Sequence, residues 1–406
     1  MTMKRRQAFK FELMPNGAQI RNMRCFAGAC RFVYNKALAH QNESYKMNDS
    51  NKFSYARLAN LLPEWKEDPK TQWLKESPSQ TLQQALKNLE SGFRNFFAKR
   101  ADFPRFKKKG LCDSFRFPQG CRLEQDNSRL LLPKLGWIRY RNSQSVLGEI
   151  KNITVSCKNG KWFAAIQTER EIETPKPASM SAVGIDMGIA RFATMSNGET
   201  IEPLNSFKNK RARLAFVQRN MAKKVKFSCN WVKAKKRISK MHSQISNARR
   251  DFLHKSTTHI SKNHAMVCIE DLQVRNMSKS AKGTMESRGR NVKAKSGLNR
   301  SILDQGWFEF RRQLEYKLDW NGGCLIAVNP RNTSRTCPYC KHIAAENRQT
   351  QAVFACVECG YANNADVVGA INVLAAGHAV LACGETVQLD RSMKQEPAEG
   401  ITQLTA

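Results

Sequence analysis

Acidic side chains are scarce in this sequence, and the resulting excess of basic ones is its most informative compositional feature. The 406 residues contain 34 Asp and Glu against 68 Lys and Arg, a formal net charge of +34. Such a surplus would repel itself unless the usual partner were a polyanion. Nucleic acid is therefore the expected partner, and an anionic membrane surface is the weaker alternative.

Long apolar runs are missing as well. We find no stretch that approaches the length of a bilayer-spanning helix, so we predict no membrane partner. The opening residues, MTMKRRQAFKFELMP, are basic but contain no apolar core of the kind found in secretory signals. These absences predict a cytoplasmic protein, which in a prokaryote would be associated with the nucleoid because of its basic charge.

Cysteines lack the spacing of a disulfide framework, with one exception. Thirteen are present, and nine of them are scattered, which is typical of reduced thiols in protein cores. The other four form two Cys-x-x-Cys pairs separated by fifteen residues: Cys337, Cys340, Cys356 and Cys359. Four unrelated buried cysteines would be the alternative, but this spacing favours one tetrahedral, structural Zn²⁺ site.

The first block of the chain is predicted to contain one strand followed by helices. The strand candidate QAFKFELM stops at Pro15, and the pattern from residue 16 to about residue 100 is helical. A basic connector, ADFPRFKKKG, follows these helices. Behind a start signal at Ser79, apolar residues recur at three- and four-residue steps: Leu82, Leu86, Leu89, Phe93 and Phe96.

Residues from about 112 to 170 are predicted to form β-structure. Asn159-Gly160 lies between two β-rich runs in KNITVSCKNGKWFAAIQTE and predicts a tight hairpin turn. Trp137 and Tyr140 belong to another strand candidate, GWIRYR. We expect a small barrel or sandwich that the first strand of the chain completes, and the helices are then an insertion into it.

Strands and helices alternate in the second half of the chain, which indicates an α/β domain. SAVGIDMGIARFATMSNGETI predicts a buried strand that ends at Asp186, a second strand, and a turn at Asn197-Gly198. HAMVCIEDL and CLIAVNP are further strand candidates, and residues 277–297 lack periodicity and predict a mobile loop. The segment 303–320 predicts a helix with one apolar face: Trp307, Phe310, Leu314 and Leu318.

The basic excess is concentrated in residues 201–300, where 25 Lys and Arg against five acidic residues leave +20. A long helix in this region repeats apolar residues in heptads, which predicts one narrow buried seam: Ile238, Met241, Ile245, Ala248 and Phe252. Lysines outside the seam could form a solvated face. The local charge excess favours phosphate contacts instead, and we name Lys233, Lys235 and Lys236 as candidates.

Three acidic residues stand at the ends of predicted elements: Asp186 and Glu270 after strands, and Asp366 at a helix start. Each alone is more simply a cap or turn residue. Together they suit hard divalent cations, and phosphodiester hydrolysis uses two such cations to clamp the attacking and leaving oxygens. Asp271 would point to the opposite face if the strand continues, so we regard it as a spare carboxylate.

The sequence resembles the TnpB family, transposon-associated RNA-guided DNA endonucleases with a split RuvC-type nuclease domain, which are related to type V CRISPR effectors. The resemblance rests on GIDMGIARFATMSNG, CIEDLQVRNM and the cysteine pairs followed by NADVVGAINVL. CRFVYNKALA, LKNLESGFRNFFAKR and FPRFKKKG in the first block are also similar to the family. The resemblance extends over nearly the whole chain, up to about Gly377.

The resemblance implies roles for particular residues. Asp186, Glu270 and Asp366 match the catalytic carboxylates that would hold two Mg²⁺, and the four cysteines match the ligands of one Zn²⁺. Val368 and Gly369 depart from the family, which usually has Asn-Ala there, so we expect altered packing of that helix rather than lost catalysis.

Contacts to a short flanking motif in the DNA are implied for Tyr55, Ser79 and Gln83 by the same resemblance. A plain role as surface helix residues is almost equally well supported for these three.

The implied architecture is a multidomain α+β protein: a β-barrel wedge domain with an inserted helical recognition domain, and an RNase H-like (RuvC) α/β nuclease domain with a zinc-ribbon insertion. We assign them as wedge 1–15 and 111–178, recognition 16–110, nuclease 179–330 and 361–377, zinc ribbon 331–360, and a disordered tail 378–406.

The implied function is to hold a guide RNA from the transposon end, as a monomer with one RNA. The protein would open matching double-stranded DNA beside the flanking motif and cut both strands. A DDE-type transposase would also use three carboxylates, but the zinc insertion between the second and the third argues against it. A DNA-binding regulator or transposition accessory protein, guided or unguided, would explain the charge and the zinc but leave the carboxylates idle.

Overall fold

The computed structural model describes residues 2–46, 54–111 and 113–382, and these residues form two compact units. The first unit ends at Glu173, and the second begins at Thr174.

A seven-stranded antiparallel sheet forms the first unit's framework, in the order β2-β6-β7-β1-β5-β4-β3. The strands are β1 (Thr2–Met14), β2 (Ser114–Phe117), β3 (Arg122–Glu124), β4 (Arg129–Leu132), β5 (Gly136–Tyr140), β6 (Glu149–Lys158) and β7 (Lys161–Glu173). The first strand pairs with β7 along most of its length and with β5 at its end, so the prediction that it completes this sheet is confirmed. Among the described residues, no ladder joins the two end strands, β2 and β3.

The hairpin between β6 and β7 turns at the predicted dipeptide. Asn159 and Gly160 have φ values of 54° and 80°, and two successive positive φ angles are the signature of a type I′ turn. This turn follows the right-handed twist of the flanking strands, so the strands pair directly on either side of it.

Three α-helices lie between β1 and β2 in the chain: α1 (Gly17–Lys46), α2 (Tyr55–Glu67) and α3 (Ser79–Phe97). A short 3₁₀ helix (Gln72–Glu76) precedes α3. The predicted start at Ser79 and the apolar stripe of α3 are confirmed, although Phe96 is half-buried and Phe97 is 61% exposed.

The second unit is built on a five-stranded mixed sheet in the order β10-β9-β8-β11-β12. Its strands are β8 (Ala182–Asp186), β9 (Ala193–Met195), β10 (Thr200–Ile201), β11 (Met266–Glu270) and β12 (Cys324–Val328). The strands β8, β11 and β12 run parallel, and the first four residues of β11 are buried. Continuous burial is expected of a parallel strand covered on both faces.

Helices and a small hairpin complete this unit. The helices are α4 (Ser206–Ala222), α5 (Cys229–Asn263), α6 (Val274–Met277), α7 (Val292–Gln305), α8 (Trp307–Asn321) and α9 (Ala365–Ala382). The strands β13 (Val353–Ala355) and β14 (Ala362–Asn364) pair antiparallel just before α9.

Two expectations about residues 277–320 need correction. The predicted loop is non-helical from residue 278 to residue 291, as expected, but the chain becomes helical at Val292, where Lys295 Nζ donates to the Met277 carbonyl and holds the start of α7. The helix predicted over 303–320 is two helices, because Gly306 has a φ of 77° and interrupts the helical backbone. The predicted apolar face of α8 is buried as expected.

Only part of the heptad seam predicted for α5 is buried in the structure. Met241 and Ile245 are buried, but Ala248 is exposed, and the buried side continues through Leu253 and Thr257. A straight helix with 3.6 residues per turn drifts away from a seven-residue repeat, which explains the change.

The helix α9 corrects the expectation that no apolar run reaches spanning length. By length and composition alone its 18 residues could cross a membrane, a property shared with core helices of soluble proteins. Here α9 packs on the sheet: a Cβ at Gly184 would lie 2.1 Å from the Ala370 carbonyl oxygen, and a Cβ at Gly377 would lie 2.1 Å from Cys268 Sγ. Of the expected tail 378–406, residues 378–382 continue α9, and the rest lies outside the described residues.

Candidate active site and zinc centre

Two of the predicted carboxylates lie side by side at one edge of the sheet. Asp186 is the last residue of β8, and Glu270 is the last residue of β11. These strands are parallel neighbours in which Ile185 is paired with Ile269, so the next residue on each strand is a carboxylate. The carboxyl ends of parallel strands therefore present both side chains at the same edge.

The third carboxylate arrives on α9. Asp366 lies in the first turn of this helix, and its backbone N–H donates to Asn364 Oδ1. Because α9 packs across β8, β11 and β12, its first turn comes close to the strand ends. A Cβ at Gly369, three residues further along α9, would lie 3.0 Å from Asp186 Oδ2, so this end of the helix adjoins the Asp186 carboxylate. The charge of Asp366 accordingly raises the pKa of Asp186.

The electrostatics of the site follow from crowding negative charge in a half-buried place. Burial raises the pKa of Asp186 to about 7, and the charges of Glu270 and Asp366 add to this effect. Burial also raises the pKa of Glu270, although a hydrogen bond from Thr333 opposes the change. Such raised values are expected where several carboxylates crowd together, as they do in sites that receive cations.

Two residues that sequence reasoning missed contact these carboxylates. Thr333 Oγ1 donates to Glu270 Oε1 at 2.7 Å, and Arg348 Nη2 lies 3.8 Å from Asp366 Oδ1. The positive charge of Arg348 also lowers the pKa of both Asp186 and Glu270. Neither residue belongs to a periodic pattern or motif, so no sequence signal pointed to them.

The departure from the family pattern falls inside this site. Val368 and Gly369 are both buried on α9. A Cβ at Gly369 would lie 3.0 Å from Asp186 Oδ2 and 3.4 Å from its Cγ, closer than ordinary contact. Glycine therefore lets α9 approach the Asp186 carboxylate more closely than alanine would.

Asp271 has a different partner. Its side chain forms an ion pair with Arg311 of α8, and both groups are about two-fifths exposed. No interaction of Asp271 with the three carboxylates is seen in the described part of the chain.

The four predicted cysteines come together. Their sulfur atoms all lie within 4.8 Å of one another, with Cys337 Sγ 3.6 Å from Cys359 Sγ and Cys340 Sγ 3.5 Å from Cys356 Sγ. A hydrogen bond from the backbone amide of Cys359 lowers the pKa of the Cys356 thiol to about 6. Four thiols at this separation fit a tetrahedral Zn²⁺ site.

Both Cys-x-x-Cys pairs are built as the same kind of turn. In the first, the Lys341 N–H donates to the Cys337 carbonyl, and in the second the Gly360 N–H donates to the Cys356 carbonyl. Lys341 and Gly360 both have positive φ, at 65° and 73°. The buried Asn347 connects the two turns, because its side chain donates to the His342 carbonyl and accepts from the Val357 N–H.

The zinc segment is attached to the carboxylate site through a shared core. Cys337, Phe354 and Cys356 are buried together with Ala365 and Val368 of α9. The side chain of Asn372 on α9 donates to the carbonyls of Thr333 and Thr336 at 2.8 and 2.7 Å. Folding of this segment therefore positions Thr333 and Arg348 against the carboxylates.

Oxygen ligands on rigid element ends suit Mg²⁺, which prefers carboxylates and keeps several waters. In the described residues, the four cysteines are the one group with three or more ligand atoms within 4.8 Å, so the carboxylate oxygens are spaced more widely. Two cations about 3.5–4 Å apart need such spacing, because ligands must surround both of them.

The predicted nucleic-acid contacts of the first unit share one helical region. Tyr55 begins α2, and Ser79 and Gln83 lie in the first turns of α3, where both are exposed. Lys66 Nζ donates to Ser79 Oγ at 2.7 Å, and Lys87 Nζ lies 5.1 Å from the centre of the Tyr55 ring. Ser79 and Gln83 are thus accessible, whereas Tyr55 is half-buried against the core of the first unit, and a lysine lies beside both Ser79 and Tyr55.

The other predicted contacts, Lys233, Lys235 and Lys236, are exposed on α5 and are called the α5 lysines below. Lys233 lines a cleft between α4 and α5, and Lys235 Nζ lies 5.2 Å from the centre of the Trp231 ring. No carboxylate pairs with any of them in the described part of the chain.

Most of the chain is similar in sequence to known protein families. Three family models match: "Probable transposase" over residues 165–281, "Cas12f1-like, TNB domain" over residues 307–373, and "Helix-turn-helix domain" over residues 1–50. In the structure, the last of these segments forms β1 and α1 instead of two short helices.

Two curated relatives cover nearly the whole chain. "Putative RNA-guided DNA endonuclease InsQ" of Escherichia coli (strain K12) is 60% identical over 98% of this chain and 99% of its own length. A "Putative RNA-guided DNA endonuclease" of Streptomyces pristinaespiralis is 34% identical over 97% of this chain and 96% of its own length.

Among solved structures, the cryo-EM structure of the Cas12f1-sgRNA-target DNA complex is similar, with a TM-score of 0.54 over 92% of this chain and 98% of that chain. At 12% sequence identity this likeness concerns the fold alone.

Proposed function

This chain belongs to the TnpB family, and on that premise we propose that it is an RNA-guided DNA endonuclease whose active site is formed by Asp186, Glu270 and Asp366. The observation that carries the proposal is the convergence of three half-buried carboxylates, from two strand ends and a helix start, in one place. A DNA-binding regulator would have no use for this costly arrangement of like charges.

The residues of the site have separable tasks in this proposal. Asp186 and Glu270, fixed by neighbouring strands, and Asp366, fixed by α9, would hold two Mg²⁺. When bound, the two cations activate the attacking water and stabilise the leaving oxygen in phosphodiester hydrolysis. Thr333 holds the Glu270 carboxylate in one orientation, and Arg348 offsets part of the repulsion among the three carboxylates.

We also propose the finer architecture that the family implies. The seven-stranded sheet of the first unit would close as a barrel-like wedge domain, with α1 to α3 as the inserted recognition domain. The five-stranded sheet of the second unit would be the core of an RNase H-like domain, and residues 331–360 would be its zinc ribbon. The domain boundaries given under Sequence analysis remain our assignment.

The partners in this proposal are a guide RNA from the transposon end and double-stranded target DNA. The net charge of +34 supplies the electrostatic attraction for both. Tyr55, Ser79 and Gln83 would contact the flanking motif, and the α5 lysines would contact phosphates. We expect a monomer with one RNA, acting in the cytoplasm of a prokaryotic cell.

Cleavage of plasmid DNA tests the proposal directly. The protein, purified with its bound RNA, is incubated with a plasmid that carries a matching target in Mg²⁺. Asp186→Ala should abolish cutting but leave RNA and DNA binding nearly intact, because binding rests on positive charge elsewhere. Ca²⁺ should support binding but little cleavage, since it is larger and less demanding in geometry.

Asp271→Ala is the matched control, because this carboxylate adjoins Glu270 in sequence but pairs with Arg311. It should retain substantial cleavage. If Asp186→Ala cut DNA at the wild-type rate in Mg²⁺, the nuclease assignment would be wrong, and a guided or unguided DNA-binding regulator would replace it.

A further inference from the structure

The helices α4 and α5 form a hairpin with a core of its own. Leu214 and Val217 of α4 are buried against Met241 of α5, and Phe207 and Ile238 pack beside them. This core lies along the helices, so the residues at the connection between them are free of it. The connection, residues 223–228, together with the first turns of α5 is called the hairpin tip below.

The hairpin tip exposes apolar side chains that the fold does not use. Val225 is 80% exposed and Phe227 is 73% exposed. The Phe227 ring contacts that of Trp231, with 5.5 Å between ring centres and 60° between ring planes. Lys226 Nζ and Lys235 Nζ each lie 5.2 Å from the centre of one of these rings.

Phe227 also has an unfavourable backbone conformation. The Ser228 N–H donates to the Val225 carbonyl and closes a turn, in which Phe227 is the third residue with a φ of 70°. Glycine or asparagine is preferred at a turn position with positive φ, and a bulky residue there is unusual. Backbone strain of this kind is typical of residues that serve a function through their side chains.

A basic cleft is lined by residues that are close in sequence to these rings, among them Lys224 and Asn230. It has a volume of about 510 Å³ between α4 and α5, and no acidic residue lines it in the described part of the chain. Its cationic lining residues are Lys223, Lys224, Lys233 and Arg237. Four cations without a carboxylate form a site for anions, and Asn220 and Asn230 add hydrogen-bonding groups.

We propose that the hairpin tip binds an unpaired nucleotide, whose base stacks on Phe227 and Trp231 and whose flanking phosphates enter the basic cleft. Aromatic rings beside a positively charged groove are the combination by which proteins hold single-stranded nucleic acid. Stacking is tolerant of base identity, so the site would bind without strong sequence preference. The proposal deepens the proposed function, because it assigns a contact with the RNA or the opened DNA strand to a particular place.

Fluorescence of 2-aminopurine tests the stacking, since this base is quenched when it stacks on an aromatic ring. Asp186→Ala protein, which should not cut, is titrated with three probes carrying one 2-aminopurine: a single-stranded RNA, a single-stranded DNA and a fully paired duplex. Quenching of either single-stranded probe supports the site and identifies its source, RNA or DNA. No quenching of either probe, or equal quenching within the duplex, overturns the proposal.

Two substitutions of Phe227 distinguish loss of the aromatic ring from loss of protein stability. Phe227→Ala should markedly reduce the quenching and weaken single-strand binding about tenfold, because it removes one of the two rings on which the base stacks. Phe227→Gly should do the same while relieving the positive φ, so its thermal stability should equal or exceed that of the parent. Neither should change the dependence of affinity on salt, since no charge is removed.

Phe216→Ala is the matched control, because Phe216 is a phenylalanine on α4 that is 57% exposed and lies outside the tip. It should leave quenching and affinity unchanged. Quenching that is undiminished in Phe227→Ala, or reduced equally in Phe216→Ala, overturns the proposal. The probes report binding and do not depend on cleavage. If the wild-type protein quenched the probes but did not cut plasmid, the nuclease proposal would be wrong and the hairpin-tip proposal would remain. If it cut plasmid but quenched no probe, only the hairpin-tip proposal would be wrong.

Discussion

Removing the most crowded carboxylate should stabilise the metal-free protein while abolishing its activity. The pKa of Asp186 rises from 3.8 to about 7 because of burial first and then the charges of Glu270 and Asp366. Between these two pH values the folded protein holds a proton that the unfolded chain releases, so its stability falls as pH rises through this window. Asp186→Asn removes the group that causes this loss.

The stability gained in Asp186→Asn can be calculated from the size of the pKa change. At about 1.4 kcal/mol per pH unit, the interval from 3.8 to about 7 sets an upper limit of about 4 kcal/mol on the gain above pH 7. Because protonation of a neighbouring carboxylate can relieve part of the repulsion, we expect about 2 kcal/mol at pH 8. For a unit of this size, such a gain raises Tm by about 4–8 °C. The gain should shrink towards zero near pH 4.

Thermal and urea unfolding of the metal-free protein between pH 4 and pH 8 measure the effect. Mg²⁺ should stabilise the wild type more than Asp186→Asn, because bound cations relieve the same repulsion. Asp271→Asn is the control: it also replaces an aspartate, but one paired with Arg311 and part-exposed, so its effect should be small. An Asp186→Asn effect that is the same at pH 4 and pH 8 would refute the reasoning, because it would not come from ionisation of the carboxylate.

Three further predictions concern other parts of the chain. Cys340→Ser should lose the zinc, measured by elemental analysis, and should lower the thermal stability of the second unit. Cys25 is an exposed free thiol, and Cys25→Ser should change neither the zinc content nor this stability. Replacing all three α5 lysines by Gln should lower the slope of log affinity against log salt by about 2–3, and an unchanged slope would leave them a solvated helix face. Thr333→Val should raise the pKa of Glu270, since its hydrogen bond lowers it, and move the acid limb of the cleavage–pH profile upward. Thr336→Val is the control: the Thr336 hydroxyl donates to the Asn332 carbonyl and not to Glu270, so this variant should not move the acid limb.

Local chemistry made several features of the fold predictable. The turn at Asn159-Gly160 follows from backbone conformations that few residues adopt readily, and the start of α3 follows from its apolar spacing. Where prediction was wrong, the competing cause is visible in the structure. Gly306 broke a helix whose apolar spacing continues past it, and Ala248 fell outside the seam because a straight helix does not keep an exact seven-residue repeat.

The sequence alone determined which groups of this protein can do chemistry. The spacing of the Cys-x-x-Cys pairs specifies a four-thiol site, and Asp186 and Glu270 each stand at the end of an apolar strand. Periodicity and spacing are local properties, so one sequence suffices to recognise them.

Only the tertiary structure decided what surrounds those groups. Thr333 and Arg348 reach the carboxylates because the zinc segment packs on α9, and Gly369 matters because α9 approaches Asp186. The strained and exposed ring of Phe227 likewise became apparent only once its φ and its exposure were known. Contacts between residues distant in sequence depend on the packing of whole elements, and no local pattern in the sequence encodes that packing.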